Sequence, residues 1–284
     1  MENILVIDGT NIFHKCHFAY PENLTDAEGN RTGAVYGSIK YLKKLIDLYN
    51  PKQLYVCGDV SRTTFRTALF PAYKGTRGKT DDEIKRQWPL FKTFLEAANI
   101  PYLEVPNYEA DDLIGSLANN SELYGFKSII ASGDRDVFQL ITDDIQVVYL
   151  STKGPIIYDR QMLAKKYDGL SPEQFLTLKA LMGDAGDNIP GIKGVGEKTG
   201  IKLIKDFGSL DGIYENIDSI SGKLREKIEA GKEDAYLSLT LATIVKDMPI
   251  DYNTIFEIYS EMEFSFDSPE LRKFYDSLKI KYPI

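Results

Sequence analysis

The sequence predicts an α/β fold with a largely parallel sheet, followed from about residue 169 by a helical region. Short apolar runs alternate with helical patterns in the first half of the chain, which is typical of β–α–β units. Several of these runs end in an acidic residue, and ligands of such sheets bind beyond the carboxyl ends of the strands. Helical patterns alone dominate the second half.

Five apolar runs are predicted to be strands. They are 3–8, 53–59, 101–105, 127–134 and 144–150. Between them, apolar residues recur at helical spacing from Thr32 to Tyr49, and a second helix runs from about Glu109 to Tyr124, where Gly125 is a typical stop. Later helices are predicted over 171–183, 197–207, 221–230 and 232–246.

A basic stretch over residues 61–80 interrupts the alternation of strands and helices. It contains no acid and five cations, which are Arg62, Arg66, Lys74, Arg77 and Lys79. Thr80 and Glu83 then have the spacing of a capping box for a helix that runs through Glu96. Long loops between strands are usually functional or disordered, so a binding element and a solvated charged loop are both open.

The composition is that of a folded protein, with 43% hydrophobic residues among 284. The N-terminus resembles neither a signal peptide nor a membrane span, so we expect a cytoplasmic protein with no membrane partner. Cys16 and Cys57 are too few for a disulfide framework and are expected to be buried thiols. Zinc is not expected, because His14 and His17 lack accompanying ligands.

Nine carboxylates fall in five clusters, four of them at or just beyond the ends of predicted strands. They are Asp8, Asp59, Glu109, Asp111, Asp112, Asp134, Asp136, Asp184 and Asp187. Crowded carboxylates repel one another unless cations compensate, and oxygen ligands without His or Cys favour Mg²⁺ or Mn²⁺. Two such ions about 4 Å apart form a clamp for displacement at a phosphate. Any one acid has the alternative of a solvated charge or a helix cap, which we favour for Asp112 taken alone.

The net charge of −8 argues against a nucleic-acid partner only if the acids are spread over the surface. Removing the nine negative charges of the candidate site from −8 leaves +1 for the rest of the chain. The remaining surface is therefore not acidic, and DNA stays open as a partner.

Residues 182–199 place Asp184 and Asp187 one helical turn apart, before a glycine-rich turn that leads into a helix. The turn fails the P-loop pattern because Glu197 precedes Lys198, and it fails the dinucleotide fingerprint because Gly200 falls one position late. Its helical flanks favour a hairpin between two helices whose backbone N–H groups face a phosphodiester, with a purely structural corner as the alternative. The residues predicted to contact DNA here are Gly191, Gly194, Gly196, Lys198 and Thr199.

Five segments resemble the 5′-nuclease family, which comprises flap endonucleases and the 5′→3′ exonuclease domain attached to bacterial DNA polymerase I. In family order they are IDGTN (7–11), FRTALFPAYKGTR (65–77), YEADD (108–112), SGDRDVFQL (132–140) and MGDAGDNIPGIKGVGEKTG (182–200). The resemblance spans residues 4 to about 207. The sequence has no polymerase portion, so it resembles the stand-alone form found in phages and some bacteria; a phage protein would act in the host cytoplasm.

The resemblance implies a PIN-like (Rossmann-like) core over 1–168 with a helical arch at about 61–98, and a helix–hairpin–helix region over 169–250. It leaves 251–284, rich in Tyr and Phe, as a segment expected to pack back on the body. The family's first metal group maps onto Asp8, Asp59, Glu109, Asp111 and Asp134, with Asp112 nearby, and its second onto Asp136, Asp184 and Asp187.

The resemblance also implies roles for basic residues. Lys74 matches the residue at the arch base that contacts the scissile phosphate, Arg77 is a weaker candidate for that role, and Lys15 stands near a position often occupied by Arg. Expected DNA contacts in the arch are Arg62, Arg66, Tyr73 and Lys79. Gly200 replaces an Ala common in the family's hairpin, which costs about 1 kcal/mol of helix propensity.

Together these features predict a Mg²⁺-dependent, structure-specific 5′ nuclease acting on 5′ flaps, junctions of duplex with single strand, and 5′ ends of DNA. We expect two Mg²⁺, for which Mn²⁺ substitutes, and room for K⁺ at the hairpin. The protein is expected to be a monomer, with replication proteins as further partners. Two alternatives remain, a non-catalytic DNA-junction binder that assists replication and a PIN-like ribonuclease.

Overall fold

The computed structural model describes residues 1–151, 154–259 and 263–281. Within these residues a six-stranded sheet has the order β3-β2-β1-β4-β5-β6. The strands are β1 (Glu2–Asp8), β2 (Gln53–Cys57), β3 (Tyr102–Leu103), β4 (Phe126–Ser132), β5 (Ile145–Ser151) and β6 (Gly154–Tyr158). The pairs are parallel except that of β5 with β6. The predicted α/β class with a mostly parallel sheet is confirmed.

Thirteen helices accompany the sheet in the described residues. They are α1 (Gly9–Ala19), α2 (Gly33–Tyr49), α3 (Phe65–Leu69), α4 (Asp82–Ala97), α5 (Ala110–Asn120), α6 (Arg160–Lys166), α7 (Pro172–Met182), α8 (Glu197–Phe207), α9 (Leu210–Glu215), α10 (Gly222–Ala230), α11 (Lys232–Ala242), α12 (Tyr252–Ile258) and α13 (Pro269–Ser277). Three short 3₁₀ helices cover Ser121–Tyr124, Asp136–Leu140 and Ile217–Ser219.

Successive side chains of β1 point to opposite faces of the sheet and belong to two hydrophobic cores, one on each face. Ile4 and Val6 pack on α5 and on the helices of the second half, whereas Leu5 and Ile7 pack on α1, α2 and α4. These four side chains are fully buried, as expected for a central strand covered on both faces. Because β1 lies between β2 and β4, the residues that follow these three strands meet at one edge of the sheet.

The helix α1 was not predicted, because Gly9, Thr10 and Asn11 are weak helix formers at its start. The Asp8 carboxylate caps this helix by accepting a hydrogen bond from the Asn11 N–H at 2.9 Å. A Cβ atom at Gly9 would lie 2.6 Å from Val56, so the close approach of α1 to β2 needs glycine. Asp8 is therefore both a candidate metal ligand and the N-cap of α1.

Other boundaries differ from the sequence expectations for local reasons. The cap of α4 is Asp81, whose carboxylate accepts from the Glu83 N–H, and not Thr80. The helix expected over 232–246 ends at Ala242. Asp184 and Asp187 do not lie on a helix, because the chain reverses after α7 and Asp184 pairs with Ile189 in a tight turn. The strand β6 and the short helices α3, α6, α9, α12 and α13 were also not predicted.

The helices α7 and α8 flank the glycine-rich turn and pack against each other. A Cβ atom at Gly200 would lie 2.6 Å from a methyl group of Leu178. Glycine at this position therefore lets α8 approach α7 closely, which offsets its poor helix propensity.

The last two helices contact the sheet domain. The Phe256 ring of α12 lies 5.9 Å from the Tyr55 ring, and the Phe274 ring of α13 lies 6.1 Å from that of Phe94 in α4. Among the described helices, none combines the length and apolar character that crossing a bilayer requires.

Candidate functional site

Five acids from the sheet edge line one cavity of about 250 Å³. They are Asp8, Asp59, Glu109, Asp111 and Asp134. Asp8 ends β1, Asp59 and Asp134 follow β2 and β4, and Glu109 and Asp111 lie at the start of α5. Lys74 and Arg77 line the same cavity from the basic stretch. The structure thus brings together the acids that sequence analysis placed in the first group.

Buried hydrogen bonds fix Asp8 at the centre of this edge. Its second oxygen accepts a hydrogen bond from the Ser132 hydroxyl at 2.7 Å, and the side chain is 4% exposed. Burial raises the pKa of Asp8 to about 7, although the hydrogen bonds from Ser132 and Asn11 oppose the shift. Burial, and then the charges of Asp8 and Asp134, raise the pKa of Asp111 well above its usual range.

Asp59 and Glu109 are oriented by groups at the start of α5 and by the basic stretch. The Ala110 N–H donates to Asp59 Oδ1 at 2.9 Å. The Tyr73 hydroxyl donates to Glu109 Oε2 at 3.0 Å, and Lys74 Nζ lies 3.0 Å from Glu109 Oε1. Tyr73 and Lys74 of the basic stretch therefore contact a carboxylate of the acidic cavity.

A second group of acids, Asp136, Asp184 and Asp187, lies beside the first. Asp134 lines both the first cavity and a neighbouring cavity that Asp184 also lines. Lys179 Nζ connects two acids of the second group, at 2.7 Å from Asp136 Oδ1 and 2.6 Å from Asp184 Oδ2. Burial alone would raise the pKa of Asp184, but the hydrogen bond and charge of Lys179 lower it. Lys179 is not among the site residues predicted from the sequence; its position five residues before Asp184, at the end of α7, was the available signal.

Asp187 connects the turn after α7 to the basic stretch. Its carboxylate pairs with Arg77 and lies 3.8 Å from Lys74 Nζ. The Lys74 N–H donates to the Asp187 carbonyl at 2.8 Å, and the Asn188 amide donates to the Ala72 carbonyl at 2.7 Å. Two backbone carbonyls and one carboxylate thus dock the base of the predicted arch onto the turn that carries the second acidic group.

Two predicted site residues, Asp112 and Arg66, instead form a buried ion pair. Arg66 donates to both Asp112 oxygens at 2.6 and 2.7 Å, and to the Leu241 and Thr243 carbonyls at 2.8 and 2.7 Å. Asp112 is 0% exposed and Arg66 is 2% exposed. Asp112 and Arg66 thus face each other, and neither lines the acidic cavity. The pair joins α3, α5 and the end of α11. Asp112 also belongs to the capping box of α5, which agrees with the helix-cap alternative considered for it from the sequence.

Tyr73 also faces inward, because it is 5% exposed and its hydroxyl donates to Glu109. Arg62 and Lys79 are exposed, and Arg62 donates to the Gly78 carbonyl and the Thr80 hydroxyl at 2.8 and 2.9 Å. Lys15 donates to the Leu150 carbonyl; burial lowers its pKa, while the charges of Asp8 and Asp134 oppose that shift.

The glycine-rich turn presents only part of its backbone to solvent, because Gly191 is buried and its N–H donates to the Ser238 hydroxyl at 2.9 Å. Gly191 and Gly194 have φ values of 60° and 81°, which side chains rarely adopt, and Gly196 begins α8 as its N-cap. A Cβ atom at Gly191 would lie 2.2 Å from the Gly183 nitrogen, so the turn packs tightly on the end of α7. Gly194, Gly196 and Lys198 are exposed and Thr199 is half-buried, as a backbone contact with a phosphate requires.

The acids fit divalent cations by their chemistry. Their donors are oxygen only, and burial with mutual repulsion disfavours the ionised forms of Asp8 and Asp111, so a bound cation would relieve both costs. In the described ranges no three acids form a ready-made ligand set, and Lys74, Arg77 and Lys179 are paired with acids of the two groups. Binding would therefore involve movement of these basic side chains.

The raised pKa values predict how stability depends on pH. Between about pH 4 and 7 the folded protein keeps a proton on Asp8 that the unfolded chain has lost, so stability without metal should fall as pH rises through this window. Divalent cations need the ionised ligands, so the increase in Tm caused by Mg²⁺ should grow over the same window. Thermal unfolding at several pH values, with EDTA or with Mg²⁺, measures both effects. Asp8→Asn should flatten the metal-free profile; an unchanged profile would contradict this assignment.

Two protein-family models match consecutive parts of the chain. Family models match residues 3–168, as "5′-3′ exonuclease, N-terminal resolvase-like domain", and residues 170–262, as "5′-3′ exonuclease, C-terminal SAM fold". The chain is 42% identical over 287 residues to DNA polymerase I of Streptococcus pneumoniae, an alignment covering 99% of this chain and 32% of that protein. The chain spans about a third of the length of the curated relatives it matches.

Two solved structures from bacteriophage T5 have the same fold. One is 5′-exonuclease with bound zinc ions, at a TM-score of 0.69, 25% identity and 96% coverage of both chains. The other is a flap endonuclease in a complex with DNA and metal ions, at a TM-score of 0.70, 25% identity and 98% coverage of both chains.

Proposed function

The chain belongs to the 5′-3′ exonuclease family, and from this premise we propose that it is a Mg²⁺-dependent, structure-specific 5′ nuclease acting on branched or 5′-ended DNA. The observation that carries the proposal is the convergence of Asp8, Asp59, Glu109, Asp111 and Asp134 on one cavity. The basic stretch contributes Lys74 and Arg77 to this cavity, and the partly exposed hairpin follows the turn that carries Asp187. The small volume of the cavity suits ions and a phosphate group, not a large organic cofactor.

Each acidic group has a place in this proposal. The five acids of the first cavity would hold one divalent ion, and Asp136, Asp184 and Asp187 a second, with Mn²⁺ as a substitute for Mg²⁺. Such ions supply Lewis-acid stabilisation of charge on a phosphate and lower the pKa of a bound water. The Tyr73 hydroxyl and the Ala110 N–H keep Glu109 and Asp59 directed into the cavity. Lys74 and Arg77 would orient the scissile phosphate once it enters.

The glycine-rich turn and α8 would hold duplex DNA by its backbone, without reading base sequence. Gly194, Gly196 and the exposed Lys198 supply the contacts, and a K⁺ ion could join them at the turn. Only a short length of chain connects this grip to the acids, because Gly194 lies seven residues after Asp187. That connection would set how far from the held duplex the cut occurs.

Replacing Lys198 with alanine is expected to weaken duplex binding and to reduce the slope of log affinity against log salt by about 1. Lys198 is an exposed cation in the first turn of α8, where its removal should leave folding unchanged. Fluorescence anisotropy with a labelled duplex at several salt concentrations measures both quantities. Lys205→Ala, at the other end of α8 and paired with Asp168, is the control. An unchanged salt slope would contradict the phosphate contact.

The proposed activity is tested with a labelled 5′-flap duplex and Mg²⁺. Cleavage near the junction supports the proposal, and mapping the products separates exonuclease from flap-endonuclease activity. Tight flap binding without turnover in Mg²⁺ or Mn²⁺ would instead indicate a junction-binding accessory protein. Matched DNA and RNA flaps test the ribonuclease alternative. We also propose that the protein acts in the cytoplasm as a monomer, together with replication or repair proteins.

A further inference from the structure

Lys179 lies between two acids of the second group and contacts both. Its Nζ atom is 2.7 Å from Asp136 and 2.6 Å from Asp184, and its side chain is 15% exposed. An ammonium group in contact with both carboxylates offsets one of their two negative charges.

The three residues come from separate parts of the chain. Asp136 begins the 3₁₀ helix after β4, Lys179 lies in the last turn of α7, and Asp184 follows that helix in the tight turn. This arrangement differs from a typical surface pair such as Lys205 with Asp168, whose side chains are 49% and 72% exposed. The ammonium occupies a site between carboxylates that come together only on folding.

Space for a second position of this side chain lies next to it. Lys179, Asp184 and Glu197 line a cavity of about 400 Å³. The cavity is open to solvent and large enough for an extended lysine side chain. The ammonium can therefore leave the two carboxylates without any change in the backbone of α7.

We propose that Lys179 is an internal counter-ion that occupies the position of a cation between Asp136 and Asp184 and withdraws when a divalent ion binds there. This inference rests on the proposed function, which assigns the two acids to a metal group. An ammonium and a divalent cation in contact with the same carboxylates repel each other, so Lys179 competes with the ion. The competition lowers the affinity for the ion, because only molecules with Lys179 withdrawn can bind it.

Calorimetric titration with Mn²⁺ tests the competition. Lys179→Met should bind Mn²⁺ about tenfold more tightly than wild type, within the usual range of coupling between two sites. Lys179→Arg, which keeps the charge, and Lys205→Met, which removes an exposed pair, should bind like wild type. Unchanged or weaker binding by Lys179→Met would overturn the inference and leave Lys179 a structural clamp. A wild type that binds no Mn²⁺ would overturn the proposed metal centre itself.

Lysine acetylation of the wild-type protein gives a second test that needs no variant. Acetic anhydride in trace amounts, with quantification by mass spectrometry, should label Lys179 several-fold faster with Mg²⁺ than with EDTA. Lys205, which has no contact with the metal group, should be labelled equally in both conditions. Equal labelling of Lys179 in both would overturn its withdrawal, even if the methionine variant failed to fold.

Discussion

Replacing Asp134 and Asp136 together with alanine is expected to lower the rate of 5′-flap cleavage by at least about 10³-fold, because charge stabilisation at the reacting phosphate is lost. Asp134 lines both acidic cavities and Asp136 contacts Lys179, so this double variant impairs both groups at once. Single-turnover cleavage of a labelled flap at saturating Mg²⁺ measures the effect on chemistry. Duplex binding in Ca²⁺ should change much less.

The double variant also removes two negative charges, so it needs a control with the same change. Asp143 and Asp218 are 89% and 88% exposed, and each pairs with one surface arginine. Their double alanine variant should cleave at the wild-type rate. The Asp134 carboxylate also accepts a hydrogen bond from the Asp136 N–H, and the double variant loses this bond. Thermal unfolding of the variant therefore checks for a folding defect. Undiminished cleavage by the Asp134 and Asp136 variant would defeat the catalytic assignment.

Much of this site was accessible to sequence reasoning because strand ends are easy to recognise. Asp8, Asp59 and Asp134 follow buried runs of the sheet, and parallel pairing of β1 with β2 and β4 forces them to one edge. The same logic did not extend to Asp112, because spacing along α5 cannot distinguish a side chain that faces the cavity from one that faces Arg66. The pairing with Arg66 depends on a contact across 46 residues of chain.

The positions of the cations could not be predicted for a related reason. The sequence shows a basic stretch and a turn with two acids, but the docking of one on the other rests on backbone contacts such as that between Lys74 and Asp187. Lys74 adopts a left-handed conformation with φ 55°, which composition does not reveal. The sequence places Lys179 five residues before Asp184, but only the structure shows that it also contacts Asp136. Which acids are already neutralised by protein cations is therefore visible only in the structure.

Lys74 is the residue for which rate and binding should separate most clearly. Its Nζ atom lies 3.0 Å from Glu109 and 3.8 Å from Asp187, so it sits between the first and second acidic groups. Lys74→Ala is expected to slow single-turnover cleavage about 10²- to 10³-fold, because a positive charge beside the reacting phosphate is lost. Duplex affinity should fall far less, since the hairpin and not Lys74 holds the duplex.

The comparison with Lys85→Ala decides whether this effect is local. Lys85 is 58% exposed on α4, paired with Asp82, and carries the same charge as Lys74 within the segment 61–98 that is expected to form the arch. If Lys74 acts through general attraction of DNA, both variants should lower affinity and rate together, and added salt should mask the difference. If Lys74 addresses the reacting phosphate, its defect persists at saturating DNA and at high salt, where exposed charges are screened. A binding loss as large as the rate loss would remove Lys74 from the reacting centre.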